Sequence, residues 1–338
     1  MEKQRYDWVD VARTFGMFLI YLGHFSADAG YSCAFVYAYH VPLFFFLSGC
    51  LECLNAQRRI HTNILKKAKS ILIPYVFFST ISIFLYAIQY NVPSDEVLSK
   101  FVVVLQGSVR NTFFIYQLWF FTCLFVVYVL FEFIKKLKYK FLMILACLLL
   151  FLTAEILLPV SPVQTPSWFF NIDSALYYII YFCLGYVTFP SINKALSSHT
   201  KIAQFLLPIS TAITLAYAVG LFYQHDLLAR LCSIPYMMIV IPIIRALILI
   251  WLHIMLSNLC KSIRILCVIG RRSLYLFGSE YIIKSLVPCI AGILGLQITI
   301  ANPLSAMIYS ALLILLVSKF LVPVESRCIA ALNSAFNE

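Results

Sequence analysis

The chain alternates between long apolar runs and short polar segments, and most of the apolar runs are long enough to cross a bilayer as a helix. About 20 residues of α-helix span the hydrocarbon core, and at that length ten spans are predicted. Because the connecting segments are short, the pattern predicts one all-α transmembrane domain over residues 1–338. The predicted spans are 8–26, 37–55, 71–90, 113–134, 141–159, 174–190, 204–223, 233–256, 273–296 and 303–323.

The composition agrees with a membrane location. Hydrophobic residues make up 62% of the chain and charged residues 12%, whereas soluble domains contain roughly 25% charged residues. A formal net charge of +11 would suit a nucleic-acid-binding protein, but the basic residues lie in short loops between apolar runs. Membrane topology explains them better, so the expected partners include membrane lipids and exclude nucleic acid.

The distribution of basic residues predicts the orientation. One set of loops carries only Lys100, Arg110 and Arg230, whereas the alternate loops and the termini carry most of the other lysines and arginines. By the positive-inside rule the richer side is cytoplasmic, so both termini are predicted to be cytoplasmic. The residues on that side are Lys3, Arg5, Arg58, Arg59, Lys66, Lys67, Lys69, Lys135, Lys136, Lys138, Lys140, Lys194, Lys201, Lys261, Arg264, Arg271, Arg272 and Arg327.

Three ionisable residues lie in the first predicted span, "VDVARTFGMFLIYLGHF" at 9–25. Ionisable groups are costly inside a bilayer and tend to line a cavity or a substrate path. Arg13 and His24 are eleven residues apart, so on a helix they face the same way and are separated by roughly 16 Å along the axis. Asp10, three residues before Arg13, can lie beside it. We therefore interpret this span as a candidate active site.

Other interpretations of these residues stay open. Asp10 and Arg13 could form a charge pair at the membrane interface, and His24 could simply bond a neighbouring helix. The segment "ADAG" at 27–30 resembles a signal-peptide cleavage site, although Asp10 and Arg13 would interrupt the apolar region of such a peptide.

The second predicted span contains "YAYHVPLFFFLSGCL" at 37–51. His40 lies at its predicted outer end, and the small pair Ser48 and Gly49 lies near mid-membrane, where small residues permit close helix packing.

The eleven cysteines give no disulfide framework. Cys50 and Cys53 have CxxC spacing, but no second CxxC or histidine cluster completes a metal site, so none is predicted. A single bridge between Cys33 and Cys232 stays open.

Several motifs resemble the membrane-bound acyltransferase 3 family of bacterial envelope O-acyltransferases. The D-x-x-R element followed by His, with ten residues between Arg and His, is matched by Asp10, Arg13 and His24, and the P-L-F-F-x-x-S-G signature by "PLFFFLSG" at 42–49. Weaker similarities are "KKAKSILIPY" at 66–75, "LWFF" at 118–121, "FCLGY" at 182–186 and "IGRRSLYLFG" at 269–278. The similarity runs from residue 5 to about residue 285.

The resemblance implies transfer of an acyl group, most often acetyl, from cytoplasmic acyl-CoA to a hydroxyl of a cell-envelope glycan or lipid-linked sugar at the bacterial inner membrane. Acyl-CoA is then a donor substrate, and no bound cofactor is expected. His24 would act as general base, with a covalent acyl-His as an alternative, and Asp10 would orient Arg13. The expected substrate contacts are Arg13, Arg58, Arg59, His40, Ser48 and Trp119, with Lys66, Lys67 and the tyrosines of "ALYYIIYF" as further candidates.

One position departs from the family pattern: Glu280 stands where many members place a histidine. With Lys284 one helical turn later, Glu280 is predicted to form an i,i+4 ion pair. A rival interpretation of the whole chain is a glycan or lipid exporter, for which Arg245 and Lys284 would line a translocation path. An inactive scaffold is a third interpretation.

Overall fold

The protein is all-helical in the part of the chain that the computed structural model describes, and no strand occurs there. This confirms the predicted all-α class. The described residues are 5–55, 59–110, 112–115, 117–197, 208–209, 211–212 and 237–335.

Thirteen α-helices are described. They are α1 (Asp7–Gly23), α2 (Tyr31–Tyr37), α3 (His40–Cys53), α4 (Ile60–Tyr90), α5 (Ser94–Leu105), α6 (Trp119–Ile134), α7 (Lys140–Leu152), α8 (Ile172–Ser197), α9 (Met237–Leu259), α10 (Arg264–Gly270), α11 (Ser273–Ile293), α12 (Pro303–Leu316) and α13 (Val322–Ala335). Short π-helical turns at Thr153–Leu157 and Val317–Leu321 extend α7 and connect α12 with α13.

Seven helical segments of the described chain are long and apolar enough to cross a membrane, which makes this a multi-pass membrane protein. They are Ser32–Cys53, Ile60–Tyr90, Lys140–Leu157, Phe169–Ser197, Met237–Leu259, Ser273–Ile293 and Pro303–Ala335. Trp119–Ile134 is a shorter apolar helix. The prediction of about ten spans with both termini in the cytoplasm stays a prediction.

The helices and the predicted spans differ most where polar residues adjoin an apolar run. Helix α4 begins at Ile60, eleven residues before the predicted span, because its backbone continues through the polar, basic segment ahead of Ile71. At 31 residues it is about 46 Å long, which exceeds the hydrocarbon core. Conversely, α6 begins at Trp119, because residues 112–115 and 117–118 form turns and bends. The predicted span 204–223 and the first residues of 233–256 lie almost entirely outside the described residues.

The chain divides into two compact units. Unit one contains Met1–Cys50, Gly185–Ser273 and Ile300–Ala311, and unit two contains Leu51–Leu184, Leu274–Thr299 and Leu312–Glu338. The single transmembrane domain predicted from the sequence stays a prediction.

In unit one, α1 packs against α9 and α10. The α1–α10 contact is very close, because a Cβ atom at Gly270 would lie 1.7 Å from the carbonyl oxygen of Asp10. Thr14 Oγ1 also donates a 2.6 Å hydrogen bond to the carbonyl of Leu266 in α10. Gly185 in α8 makes a similar approach to α3, where an added Cβ would lie 2.0 Å from the carbonyl oxygen of Phe46. Glycine is therefore needed at both helix contacts.

In unit two, α4 packs against α5, α6 and α13. A buried ionic cluster formed by five residues joins α4 to α6 and to the end of α3. Within it, Lys67 Nζ lies 3.0 Å from Glu52, and the amide of Asn63 donates to both Glu52 and Glu132. Since two carboxylates face two ammonium groups, the cluster is neutral. Its members are Glu52, Asn63, Lys67, Glu132 and Lys135.

Candidate functional site

Helix α1 carries the three residues that the sequence analysis singled out. It runs unbroken from Asp7 to Gly23, and His24 is its C-terminal cap residue, with the His24 N–H bonded to the carbonyl of Ile20 at 3.1 Å. Arg13 and His24 are therefore connected by continuous helix, which gives a separation of about 16 Å along the axis. Both side chains are half-buried. Their catalytic roles stay predictions.

The carboxylate of Asp10 is held by a residue far away in the sequence. Arg271, directly after α10, donates from Nε to Asp10 Oδ2 at 2.9 Å, and its Nη2 lies 3.5 Å from Asp7 Oδ1. The hydrogen bond to Asp10 raises the pKa of Arg271 above its ordinary value. Asp10 thus has a firm partner in Arg271, and the expected role of Asp10 in orienting Arg13 stays a prediction.

A buried histidine fixes α1 from another side. His253 in α9 has Nε2 2.9 Å from the carbonyl of Ala12 and Nδ1 3.2 Å from the hydroxyl of Tyr39. Because a carbonyl only accepts, Nε2 carries the hydrogen and Nδ1 accepts from Tyr39. Both nitrogens of the ring are therefore engaged, and the backbone next to Arg13 is anchored. His253 was not predicted as a site residue, because its partners Ala12 and Tyr39 lie far away in the sequence and no local motif indicates them.

The two α3 residues expected at the site are both buried in unit one. His40, the first residue of α3, has Nδ1 2.8 Å from the carbonyl of Val36, and Ser48 lies two turns further along the helix. The close helix approach predicted around Ser48 is present at neighbouring Phe46, where Gly185 of the "FCLGY" element packs. That glycine gives the weak motif a structural reason.

The cations expected to bind CoA phosphates fall into three groups. Arg58 lies outside the described residues. Arg59 and Lys66 are exposed, at the start of α4 and in its second turn. Lys67 instead points into the ionic cluster, with Nζ 3.0 Å from Glu52 and 3.7 Å from the centre of the Tyr128 ring. A phosphate could reach Lys67 only by displacing Glu52, so Arg59 and Lys66 are the better candidates.

Trp119 lies in unit two, at the first residue of α6, and is buried. The guanidinium of Arg110 lies over its ring, with Cζ 4.7 Å from the ring centre, and the Tyr178 ring is 5.9 Å away. Tyr178 belongs to the "ALYYIIYF" segment whose tyrosines were expected to contact substrate.

Glu280 and Lys284 form the ion pair predicted from their spacing, with 2.7 Å between Lys284 Nζ and Glu280 Oε1. Glu280 is buried, and Lys284 is partly exposed. The bridge considered between Cys33 and Cys232 is not testable, because Cys232 lies outside the described residues. Over the described ranges, no group of three or more His, Cys, Asp or Glu side chains is arranged to hold a metal ion.

Unit one therefore contains Asp10, Arg13, His24, His40 and Ser48, whereas Arg59 and Trp119 belong to unit two. A guanidinium in the second turn of a helix and an imidazole at its C-terminal cap suit a reaction in which an anionic donor is held at one point and a proton is removed at another.

The chain matches one protein-family model, described as an acyltransferase domain, over residues 6–321. Comparisons with curated proteins and with solved structures gave no match.

Proposed function

Since the chain belongs to the acyltransferase 3 family, we propose that it moves an acetyl group from cytoplasmic acetyl-CoA to a hydroxyl of an envelope glycan or lipid-linked sugar. Its expected location is the inner membrane of a bacterium. Family membership and the apolar helices make it a membrane acyltransferase. The donor, the acceptor and the reacting residues are proposed here.

One observation carries the assignment of residues: Arg13 and His24 occupy the same continuous helix, about 16 Å apart along its axis. An extended pantetheine arm is on the order of that length. A CoA whose phosphates contact Arg13 could therefore present its thioester near His24. Arg59 and Lys66 are exposed in unit two, and their expected contact with CoA phosphates stays a prediction from the sequence.

In the proposed reaction, His24 takes the proton of the acceptor hydroxyl while the hydroxyl oxygen attacks the thioester carbonyl. The new C–O bond forms as the C–S bond breaks, and the imidazolium returns the proton to the departing CoA thiolate. General base catalysis of this kind contributes about 10²- to 10⁴-fold. Arg271, paired with Asp10, and His253, bonded to the Ala12 carbonyl, would hold the helix that positions both groups.

The test compares His24→Ala and His24→Gln with His61→Ala, which removes an exposed histidine in the first turn of α4. Membranes containing each variant are incubated with radiolabelled acetyl-CoA, and label in the envelope glycan fraction is measured. Both His24 variants should lose transfer while inserting into the membrane normally, and His61→Ala should behave as wild type. Near-normal transfer by either His24 variant would exclude His24 as the base.

If the protein is an exporter, a different result is expected from a binding experiment with acetyl-CoA. An exporter has no need of acyl-CoA, so the purified wild-type protein in detergent should fail to bind it. Saturable binding of acetyl-CoA would exclude that interpretation.

A further inference from the structure

A partly buried arginine in unit two, Arg110, has no acidic partner within ion-pair distance in the part of the chain that the structure describes. Arg110 lies over the Trp119 ring, and its guanidinium interacts with the Tyr178 side chain. Its Nη1 atom is buried and without a hydrogen-bond partner, while the residue as a whole is partly exposed. Since a guanidinium carries five N–H donors, this group has binding capacity that the described protein leaves unused.

The loop that carries Arg110 is rigidly built. The backbone N–H of Arg110 donates to Asn171 Oδ1 at 2.9 Å, and the Asn171 amide donates to the Gly107 carbonyl at 3.0 Å. Tyr75 holds the same loop by donating to the Val104 carbonyl at 2.7 Å, with its oxygen also 2.7 Å from Ser108 Oγ. These hydrogen bonds hold the loop, and with it Arg110, in a fixed position, as a binding site requires.

Gly107 explains how the loop packs so closely. Its φ of +94° favours glycine, and a Cβ there would lie 2.7 Å from Phe170 Cα. Tyr75 and Trp119 belong to two of the weaker motifs found in the sequence, "KKAKSILIPY" and "LWFF". Tyr75 therefore holds the loop that carries Arg110, and Trp119 packs against the Arg110 guanidinium, although neither motif contains this arginine.

Two carboxylates of unit two, Asp173 and Glu155, act on the same neighbouring groups as Arg110 but form no ion pair with it. Asp173 accepts hydrogen bonds from the backbone N–H groups of Ser167, Trp168 and Ser174, at 2.7, 3.1 and 2.8 Å. Glu155 interacts electrostatically with Tyr178 and is not within ion-pair distance of Arg110. One nitrogen of the Arg110 guanidinium is buried without an acceptor, and a buried polar atom of a charged group is costly unless it meets a hydrogen-bond acceptor or an opposite charge. The missing charge is expected from a ligand.

We propose that Arg110, held over the Trp119 ring, binds an acidic group of the acceptor, either a sugar carboxylate or a phosphate. Both are oxyanions that the planar guanidinium recognises through two parallel hydrogen bonds. This inference rests on the proposed function, because the predicted topology places Arg110 on the side opposite the cytoplasmic donor. The acceptor is therefore an acidic glycan or a phosphate-linked sugar.

The test measures thermal unfolding of the full-length protein in detergent with three probes at equal ionic strength: glucuronate, glucose 1-phosphate and glucose. At least one acidic probe should stabilise the wild type more than glucose, and the effective one identifies the carboxylate or the phosphate as the source of the charge. Arg110→Gln should weaken that affinity by about tenfold or more, and Arg110→Lys by less, because lysine keeps the charge but loses the planar fork.

The matched control is Lys100→Gln, which removes one positive charge from the partly buried Lys100–Glu96 pair on α5. It should leave probe affinity unchanged. Tyr178→Phe removes only the hydroxyl that interacts with the guanidinium, and it should weaken the affinity several-fold. This second variant decides the question if Arg110→Gln does not fold, since unchanged affinity in Tyr178→Phe would then overturn the proposal.

Three other results would overturn the inference: no acidic probe stabilises the wild type more than glucose, Arg110→Gln binds the probe as wild type does, or Arg110→Gln weakens acetyl-CoA binding instead. Failure of the proposed function looks different, because it appears as wild-type protein that neither binds nor uses acetyl-CoA.

Discussion

Arg13 is the residue that holds the donor phosphates next to α1 in the proposed mechanism. Arg13→Lys keeps the positive charge but loses the planar fork that binds phosphate through two hydrogen bonds, so transfer should be impaired but measurable. The expected change is a weaker affinity for acetyl-CoA, measured in detergent by titration. Lys194→Gln is the control, since Lys194 is an exposed cation near the end of α8 in the same unit. Unchanged affinity combined with lost transfer would show that Arg13 has a structural role instead.

Single residues also show what the sequence could and could not reveal. The positions of Arg13 and His24 follow from their spacing on one helix, and the Glu280–Lys284 pair follows from i,i+4 geometry, which the structure confirms. The Asp10–Arg271 bond joins residues 261 positions apart, so it depends on tertiary packing. Helical periodicity predicts contacts within one helix, but it does not predict which side chain of another helix or loop will contact that helix.

At the level of elements, the close contact between α1 and α10 requires glycine at position 270. Gly270→Ala would place a Cβ 1.7 Å from the Asp10 carbonyl oxygen, so α10 must move and the Arg271–Asp10 bond must weaken. We expect a loss of stability of roughly 1–3 kcal/mol or more, with reduced acyl transfer. Gly292→Ala is the matched control, because a Cβ there would meet no atom within 4 Å. Thermal unfolding and transfer assays on both variants give the comparison, and equal stability would contradict the packing argument.

The second prediction about elements concerns the ion pair within α11. Removing either Glu280 or Lys284 breaks their ion pair. Lys284→Met leaves the buried Glu280 carboxylate without this ammonium group, which costs roughly 3–5 kcal/mol at a buried site, and Glu280→Gln should cost less because Lys284 is partly exposed. Glu280→Gln combined with Lys284→Met should recover much of that loss, because neither charge then remains. Thermal stability and acyl transfer are compared for the two single variants and the double variant. A stable but inactive double variant would place Glu280 in the catalytic site and contradict a purely structural role.

Elements were predicted best where the sequence is uniformly apolar. The cores of α3, α7, α8 and α11 coincide with predicted spans, whereas α2, α5 and α10 were not predicted. These three helices have 7, 12 and 7 residues, too short to cross a membrane. The early start of α4 has a related cause, since lysine is a good helix former and does not end a helix. Apolar runs therefore indicate membrane segments, but not where helices end.

At the scale of the whole molecule, the distribution of basic residues predicts the orientation, and the structure shows which of these charges are compensated. In the ionic cluster of unit two, Glu52 and Glu132 neutralise Lys67 and Lys135. These two lysines therefore add little net positive charge to the predicted cytoplasmic side. The remaining exposed basic residues on the predicted cytoplasmic side, such as Lys136 and Lys138, still support the assigned orientation.

Cysteine labelling tests that orientation. The starting variant has all eleven cysteines replaced by serine or alanine. A single cysteine is then introduced, either by Lys136→Cys, between α6 and α7, or by Asp95→Cys, in the first turn of α5. Both positions are exposed. An impermeant thiol reagent added to intact cells should label Asp95→Cys, because the segment after α4 is predicted to lie outside. Lys136→Cys should react only after the membrane is opened.

The substitutions are controlled by requiring that each variant retain acyl transfer, and total reactive thiol is measured in detergent. The reverse labelling pattern would place the basic loops outside. The phosphates of acetyl-CoA, a cytoplasmic metabolite, would then face a side that has few cations. Arg110 would also lie on the donor side, so both the donor path along α1 and the acidic-acceptor site would have to be abandoned in their present form.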